Sequence, residues 1–214
     1  MAKTKNRRGF FKFLVDCAYA LVSFAVLVMV MWAFMFSFIL RTVQVDGISM
    51  QDTLQDRERM ILINALYTPQ RGDIVVANRL EKSETERLGV STYKEPIIKR
   101  VIGVAGDVVE VTPDAVYVNG AKLDEPYVHY ENTHPCIAYV PEGTVFVMGD
   151  HRNASTDSRL NGPVAVENLM GHVVARLNTV TDVDVLPVVR YDNVPDAPSP
   201  ELLEKAQKEE KVDE

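Results

Sequence analysis

With 214 residues, 47% of them hydrophobic and 25% charged, the chain has room for one domain of ordinary size plus attachments, and its composition excludes the fibrous and disordered classes. Its formal charge of −7 is unevenly spread: Lys3, Lys5, Arg7, Arg8 and Lys12 crowd an acid-free N-terminal stretch, so the rest is more acidic than the whole and should repel nucleic acid. Cys17 and Cys136 lack CxxC spacing and His129, His134, His151 and His172 lack HExxH-type spacing, so no metal site and no cofactor are expected.

Residues 1–16 read as a basic cytoplasmic tail. Residues 17–40, CAYALVSFAVLVMVMWAFMFSFIL, contain no charged side chain. As a helix this run is about 36 Å long, enough to cross a hydrocarbon core about 30 Å thick. The basic residues precede it and only Arg41 follows closely, so the N-terminus is expected in the cytoplasm and everything after Leu40 on the far side of the membrane. A cleaved signal peptide would have a shorter apolar region followed by a small-x-small site. Here Arg41, Thr42, Val43 and Gln44 follow, so an uncleaved single-span anchor is the reading, with the lipid bilayer as a partner.

Residues 41–190 read as an exported, mainly β domain built on a mostly antiparallel sheet. DIVVANRL, KEPIIKRVIGVAGDVVEV, GTVFVMGD and MGHVVARL are rich in Val and Ile and cut by Gly, as strands are. VEVTPDAVYVNG reads as two short strands joined by a Pro-Asp turn, with Asn119-Gly120 as a further hairpin signal. The polar run 79–95 is expected to be an exposed loop or short helix. Residues 191–214 read as a Pro-rich linker, YDNVPDAPSP, followed by an acidic, solvated and partly helical tail.

Three stretches hold the chemistry. VQVDGISMQDTL, directly after the apolar run, carries Ser49. A lone turn serine is a poor nucleophile until a base takes its proton. IIKRVIGVAGD, residues 97–107, puts Lys99 on one strand face with Ile97 and Val101. Burial there would lower its pKa towards that of a general base, while the plainer reading is a lysine that reaches past its neighbours to water. GDHRNASTDSR packs Asp150, Arg152, Ser155, Asp157 and Arg159 into one loop, where charge-assisted hydrogen bonds can hold a rigid turn; the plainer reading is a solvated polar turn. A Ser-x-x-Lys motif is absent, because Asp52 stands three residues after Ser49.

Taken in order, the anchor, GISMQDTL, RGDIVV, KRVIGVAGD, VNGAKLDEPYV and GDHRNASTDSR resemble the bacterial type I signal peptidases over about residues 15–177. The resemblance implies a membrane-bound serine endopeptidase of the cytoplasmic membrane that removes signal peptides from exported preproteins after small-x-small (Ala-x-Ala) motifs. It makes Ser49 the nucleophile and Lys99 the general base, acting through an acyl-enzyme. Ser155 would hydrogen-bond the lysine, and Asp157, Arg159, Asp150 and Arg152 would support the loop. The Ser49 backbone N–H would line the oxyanion hole. Some members place a serine two positions before the nucleophile; Gly47 stands there and offers no side-chain donor. Val43, Val45, Met50, Leu54, Ile97 and Ile98 match positions lining shallow substrate pockets. One departure is Asp52, where the family usually has Pro. Two alternatives stand beside this reading: a specialised peptidase of the same Ser-Lys group with one dedicated precursor, and an inactive membrane-anchored β scaffold.

Overall fold

A computed structural model describes residues 3–51, 53–64, 67–78, 96–129, 131–179 and 182–210. The stretch 79–95 and Asp52 lie outside the described residues. The chain divides into two compact units, Met1–Leu40 and Arg41–Glu214.

The first unit is a single helix, α1 (Lys3–Ile39). Within it, Phe10–Phe34 is a 25-residue apolar stretch with mean hydropathy 2.3, none of it buried by the rest of the protein. At 1.5 Å per residue this is about 37 Å of helix, matching a bilayer core. The helix begins well before the expected boundary at residue 17. Nothing between Lys3 and Asp16 breaks a helix except the isolated Gly9, which costs only about 1 kcal/mol. It ends one residue early, since Leu40 already opens a strand.

The second unit is mainly β, in two antiparallel sheets. The larger sheet has the order β1 (Leu40–Gln44), β2 (Arg59–Ile63), β11 (Leu169–Thr179), β3 (Ile74–Ala77), β4 (Ile97–Val104), β9 (Thr144–Met148) and β10 (Val164–Ala165), with β12 (Asp182–Val185) also paired to β11. The smaller sheet has the order β7 (Ala121–Lys122), β6 (Val116–Val118), β5 (Val108–Val111) and β8 (Cys136–Tyr139). The Asn119-Gly120 signal is realised between β6 and β7, with both residues at positive φ, 53° and 82°. Asn119 does more than turn the chain: its side chain accepts from Val108 N–H and donates to Asp107.

The main core lies between the sheets, where Ile102, Phe146 and Met148 meet Val109, Val111, Val116 and Val118. A second cluster joins Leu62, Ile74, Val76, Ile98 and Val173 to Val45, Met50 and Leu54 from the β1–β2 connection. The expected linker and solvated tail instead pack on this domain. Tyr191 and Val194 are buried in the main core, and α3 (Pro200–Glu210) lays Leu202, Leu203 and Ala206 on Val108 and Ile137. Its apolar stripe is thin, but two leucines and an alanine suffice against an already apolar sheet face.

Candidate active site

β4 carries the lysine. Its residues alternate between two apolar layers: Ile98 joins the cluster containing Met50 and Leu54, whereas Ile97 and Val101 belong with Val75, Ala77 and Val147. Lys99 pairs across the sheet with Val75 and is only 5% exposed. A charge held there loses its hydration. Burial pushes the Lys99 ammonium down from its usual 10.5 to about 8; Asp157 and Asp150 pull it back up, and Arg159 pushes it further down.

The serine arrives on the β1–β2 connection, which closes on itself. Val45 and Arg57–Glu58 exchange backbone hydrogen bonds at its neck, and Leu54 N–H donates to Met50 O. Gly47 takes φ +94°, a left-handed conformation that side chains resist, and its N–H donates to Asp56 Oδ1 at 2.9 Å. Buried Met50 and Leu54 root this loop in the core. Ser49 Oγ then lies 2.7 Å from Lys99 Nζ, and the Ile98 carbonyl accepts a second bond from Nζ at 3.2 Å.

The polar loop after β9 holds both partners in place. His151 N–H donates to Ser49 O at 3.1 Å. Gly149 packs so close that a methyl group there would overlap Ser155 and the Ser49 carbonyl, so glycine is what lets the two loops meet. Asp150, fully buried, accepts Arg100 Nε and Nη2 at 2.9 and 2.7 Å and Thr53 Oγ1 at 2.6 Å. Arg152 reaches Gly149 O, Asn132 Oδ1 and Glu125. Asp157 accepts Arg159 Nε and Nη2, each at 2.8 Å, Gly149 N–H at 2.9 Å and Ser155 Oγ at 2.7 Å. It also caps the short helix α2 (Ser158–Asn161). Burial alone would raise the Asp157 carboxyl, but its bonds from Arg159, Gly149 and Ser155 outweigh this and hold it below the ordinary carboxylate range.

These placements refine the sequence expectations. Ser49, Lys99 and the five loop residues converge on one place. Ser155 Oγ, however, donates to Asp157 Oδ2, and the Lys99 Nζ bonds found among the described residues go to Ser49 Oγ and the Ile98 carbonyl. The six candidate pocket residues also separate. Val45, Met50, Leu54 and Ile98 are buried core, with half-buried Val43 packed against them, while Ile97 belongs to the neighbouring layer on the side of Lys99. Thr53, Tyr127, Glu125 and Gly149 were not singled out from sequence. Thr53 lies in GISMQDTL, Gly149 in GDHRN, and Glu125 and Tyr127 in VNGAKLDEPYV, and none of these stretches reveals its spatial partners.

A serine hydroxyl facing a buried lysine, on an antiparallel β unit that follows a membrane-length helix, is an arrangement suited to a serine hydrolase of β architecture. Residues 17–178 match the family described as Signal peptidase, peptidase S26. The chain belongs to that family and is a serine-type endopeptidase. It is 36% identical over 157 residues to a probable signal peptidase I-2 of Synechocystis sp. (strain ATCC 27184 / PCC 6803 / Kazusa), covering 70% of this chain and 68% of that protein. It is 32% identical over 161 residues to signal peptidase IB of Staphylococcus aureus (strain COL), covering 65% and 78%. Among solved structures, a signal peptidase I of Enterococcus faecalis V583 is 29% identical, with TM-score 0.41, over 50% of this chain and 98% of that one.

Proposed function

We propose that this signal peptidase cleaves preproteins after small-x-small motifs with Ser49 as nucleophile and Lys99 as its general base. The observation that carries the proposal is the 2.7 Å approach of Lys99 Nζ to Ser49 Oγ at a lysine whose burial brings its pKa to about 8. Near neutral pH a usable fraction of Lys99 is then the free amine, which accepts the Ser49 proton as Oγ attacks the scissile carbonyl. The tetrahedral intermediate places its oxyanion at the Ser49 backbone N–H, for which no acceptor is found among the described residues. The Gly47 N–H is already given to Asp56 and contributes nothing there. Collapse of the intermediate breaks the C–N bond, and the Lys99 ammonium returns its proton to the leaving amine. Lys99 then deprotonates water, which hydrolyses the ester and restores Ser49. This is the nucleophile-base logic of a catalytic triad with lysine in the place of histidine.

Of the six candidate pocket residues, half-buried Val43 and Ile97 offer surface to substrate, and Val45, Met50, Leu54 and Ile98 set its shape from behind. Asp157, Arg159, Asp150, Arg152 and Ser155 hold the serine and the lysine in register. The apolar stretch of α1 anchors the enzyme, with the basic tail cytoplasmic and the β domain on the extracytoplasmic side. Signal peptides and the bilayer are its partners; the acidic domain has no affinity for nucleic acid and the chemistry needs no metal.

The test is cleavage of an Ala-x-Ala preprotein in detergent micelles by wild type, Ser49→Ala and Lys99→Ala. Processing by the wild type alone is expected, and activity surviving in either variant would refute the dyad.

A further inference from the structure

The Arg100 guanidinium joins the two halves of the site. It neutralises buried Asp150 through two hydrogen bonds, and Asp150 in turn accepts Thr53 Oγ1 from the serine loop. Besides Asp150, Arg100 has two supports: Gly72 O, which accepts Nη1 at 2.8 Å, and the Tyr127 ring, whose centroid lies 4.0 Å from Arg100 Cζ. Both supports are gripped by one short segment near the C-terminus. The Val189 carbonyl sits against Gly72 so tightly that a methyl group there would overlap it. Arg190 Nη1 pairs with Asp73 at 3.1 Å. Tyr191 OH hydrogen-bonds Tyr127 OH. Three consecutive residues thus hold Gly72, Asp73 and Tyr127. The segment is itself fixed downstream, where Asn193 donates to Lys122 O and Asn119 donates to Pro195 O, each at 2.8 Å. It borders an open pocket of about 180 Å³ whose lining includes Gly72, Asp73, Arg100, Val189 and Arg190. Residues 189–191 themselves lie C-terminal to the residues 17–178 that match the family.

We infer that residues 189–191 form a positioning strap for catalysis: Tyr191, through Tyr127, and Val189, through Gly72, register the Arg100 guanidinium on Asp150. The inference rests on the Ser49/Lys99 reading and deepens it. The physical consequence runs through charge. Asp150 already pulls the Lys99 pKa upward, and a guanidinium that slips from Asp150 leaves that carboxylate less screened. The base then becomes harder to deprotonate, and the Thr53 tie to the serine loop loosens. Tyr191 is buried and Tyr127 half-buried, and desolvation raises both phenols so that they stay neutral and keep their mutual hydrogen bond through the working pH range. Simple core packing by Tyr191 would show in stability, not in the pH dependence of turnover.

The experiment compares full-length wild type with Tyr191→Phe, Tyr127→Phe, the double variant and Arg190→Gln, on an Ala-x-Ala preprotein in micelles, reading kcat, KM, the kcat–pH profile and melting temperature. Tyr191→Phe keeps the ring and the core. It is expected to lower kcat about fivefold with KM nearly unchanged, and to move the acid limb upward by about half a pH unit. Arg190→Gln, which cuts only the half-exposed tie to Asp73, should give a smaller effect in the same direction. Adding Tyr191→Phe to Tyr127→Phe should cost little more, because both act through one contact. A wild-type kcat–pH profile in both Tyr191→Phe and Arg190→Gln overturns the strap, as does a fully multiplicative loss in the double variant. Ser49→Ala and Lys99→Ala run alongside: activity in either would sink the dyad, whereas inactive dyad variants with unperturbed strap variants sink the strap alone.

Discussion

Lys99 is the residue on which the chemistry and the stability of the fold disagree. In the unfolded chain its pKa is 10.5, and in the folded chain burial brings it to about 8. With Lys99 as the proposed base, the free amine is the form active in turnover. The rate should therefore rise about tenfold per pH unit up to roughly pH 8 and then level off. A profile flat between pH 5 and 9 would exclude a lysine base of this pKa. Lys99→Arg should be inactive across the range, since a guanidinium does not deprotonate. For stability the sign is the opposite of the usual ion-paired lysine. Between about pH 8 and 10.5 the unfolded chain binds more protons than the folded one, so stability rises with pH through that window. Below it the buried ammonium carries a cost on the order of 3 kcal/mol. Lys99→Met keeps the aliphatic stem and removes the charge. It should abolish cleavage while raising the melting temperature at pH 7, and a variant less stable than wild type in thermal unfolding would contradict this account of the burial.

At the scale of elements, the site is a strand, a closed loop and a polar loop pinned by buried ion pairs. Arg159 and Asp157 are both buried and doubly hydrogen-bonded. Removing one charge leaves the other uncompensated, which costs about 3–5 kcal/mol. Asp157→Asn, nearly isosteric, should lower stability in urea titration by that order and reduce cleavage as the Gly149–Ser155 corner loosens; a change below about 1 kcal/mol would mean that water reaches Arg159. The depressed Asp157 pKa also fixes a pH dependence. Its contribution is complete above the unfolded carboxylate value near 4 and is lost as pH falls below that, through the lower folded value. Acid unfolding of wild type should therefore steepen below about pH 4, and the variant should lack that component. Much of this architecture is legible in the sequence. The Val/Ile runs mark β3, β4, β5, β6, β9 and β11, and the order of Ser49, Lys99 and GDHRNASTDSR points to the candidate site. What stays hidden is whatever depends on tertiary partners. β2, RMILI, lacks a turn signal as clear as Asn-Gly. Ser155 could equally have served Lys99 or Asp157. The C-terminal helix reads as solvated because its apolar stripe is thin, and only the exposed face of β5 and β8 makes three apolar residues enough to dock it.

The whole molecule joins two units of different composition. Phe10–Phe34 buries none of its side chains within the protein, whereas the clusters that position Ser49 and Lys99 draw only on residues from Val43 onward. Under the proposed function the helix supplies location and the β unit supplies chemistry. These contributions separate in one experiment. A chain beginning at Leu40, which preserves all of β1, should fold with the same β content by far-UV circular dichroism. Its kcat–pH profile on a short soluble Ala-x-Ala peptide should retain the limb near pH 8, because the burial that sets the Lys99 pKa is intact. Its kcat/KM on that peptide should lie within about threefold of full length, a difference under 1 kcal/mol in barrier. On a preprotein already inserted in lipid vesicles the truncated enzyme should fall by at least about a hundredfold, since tethering enzyme and substrate to one bilayer raises their effective concentration and truncation removes that gain. Failure of the truncated chain to fold, or an equal loss on the soluble peptide, would show that α1 helps to build the site as well as to place it.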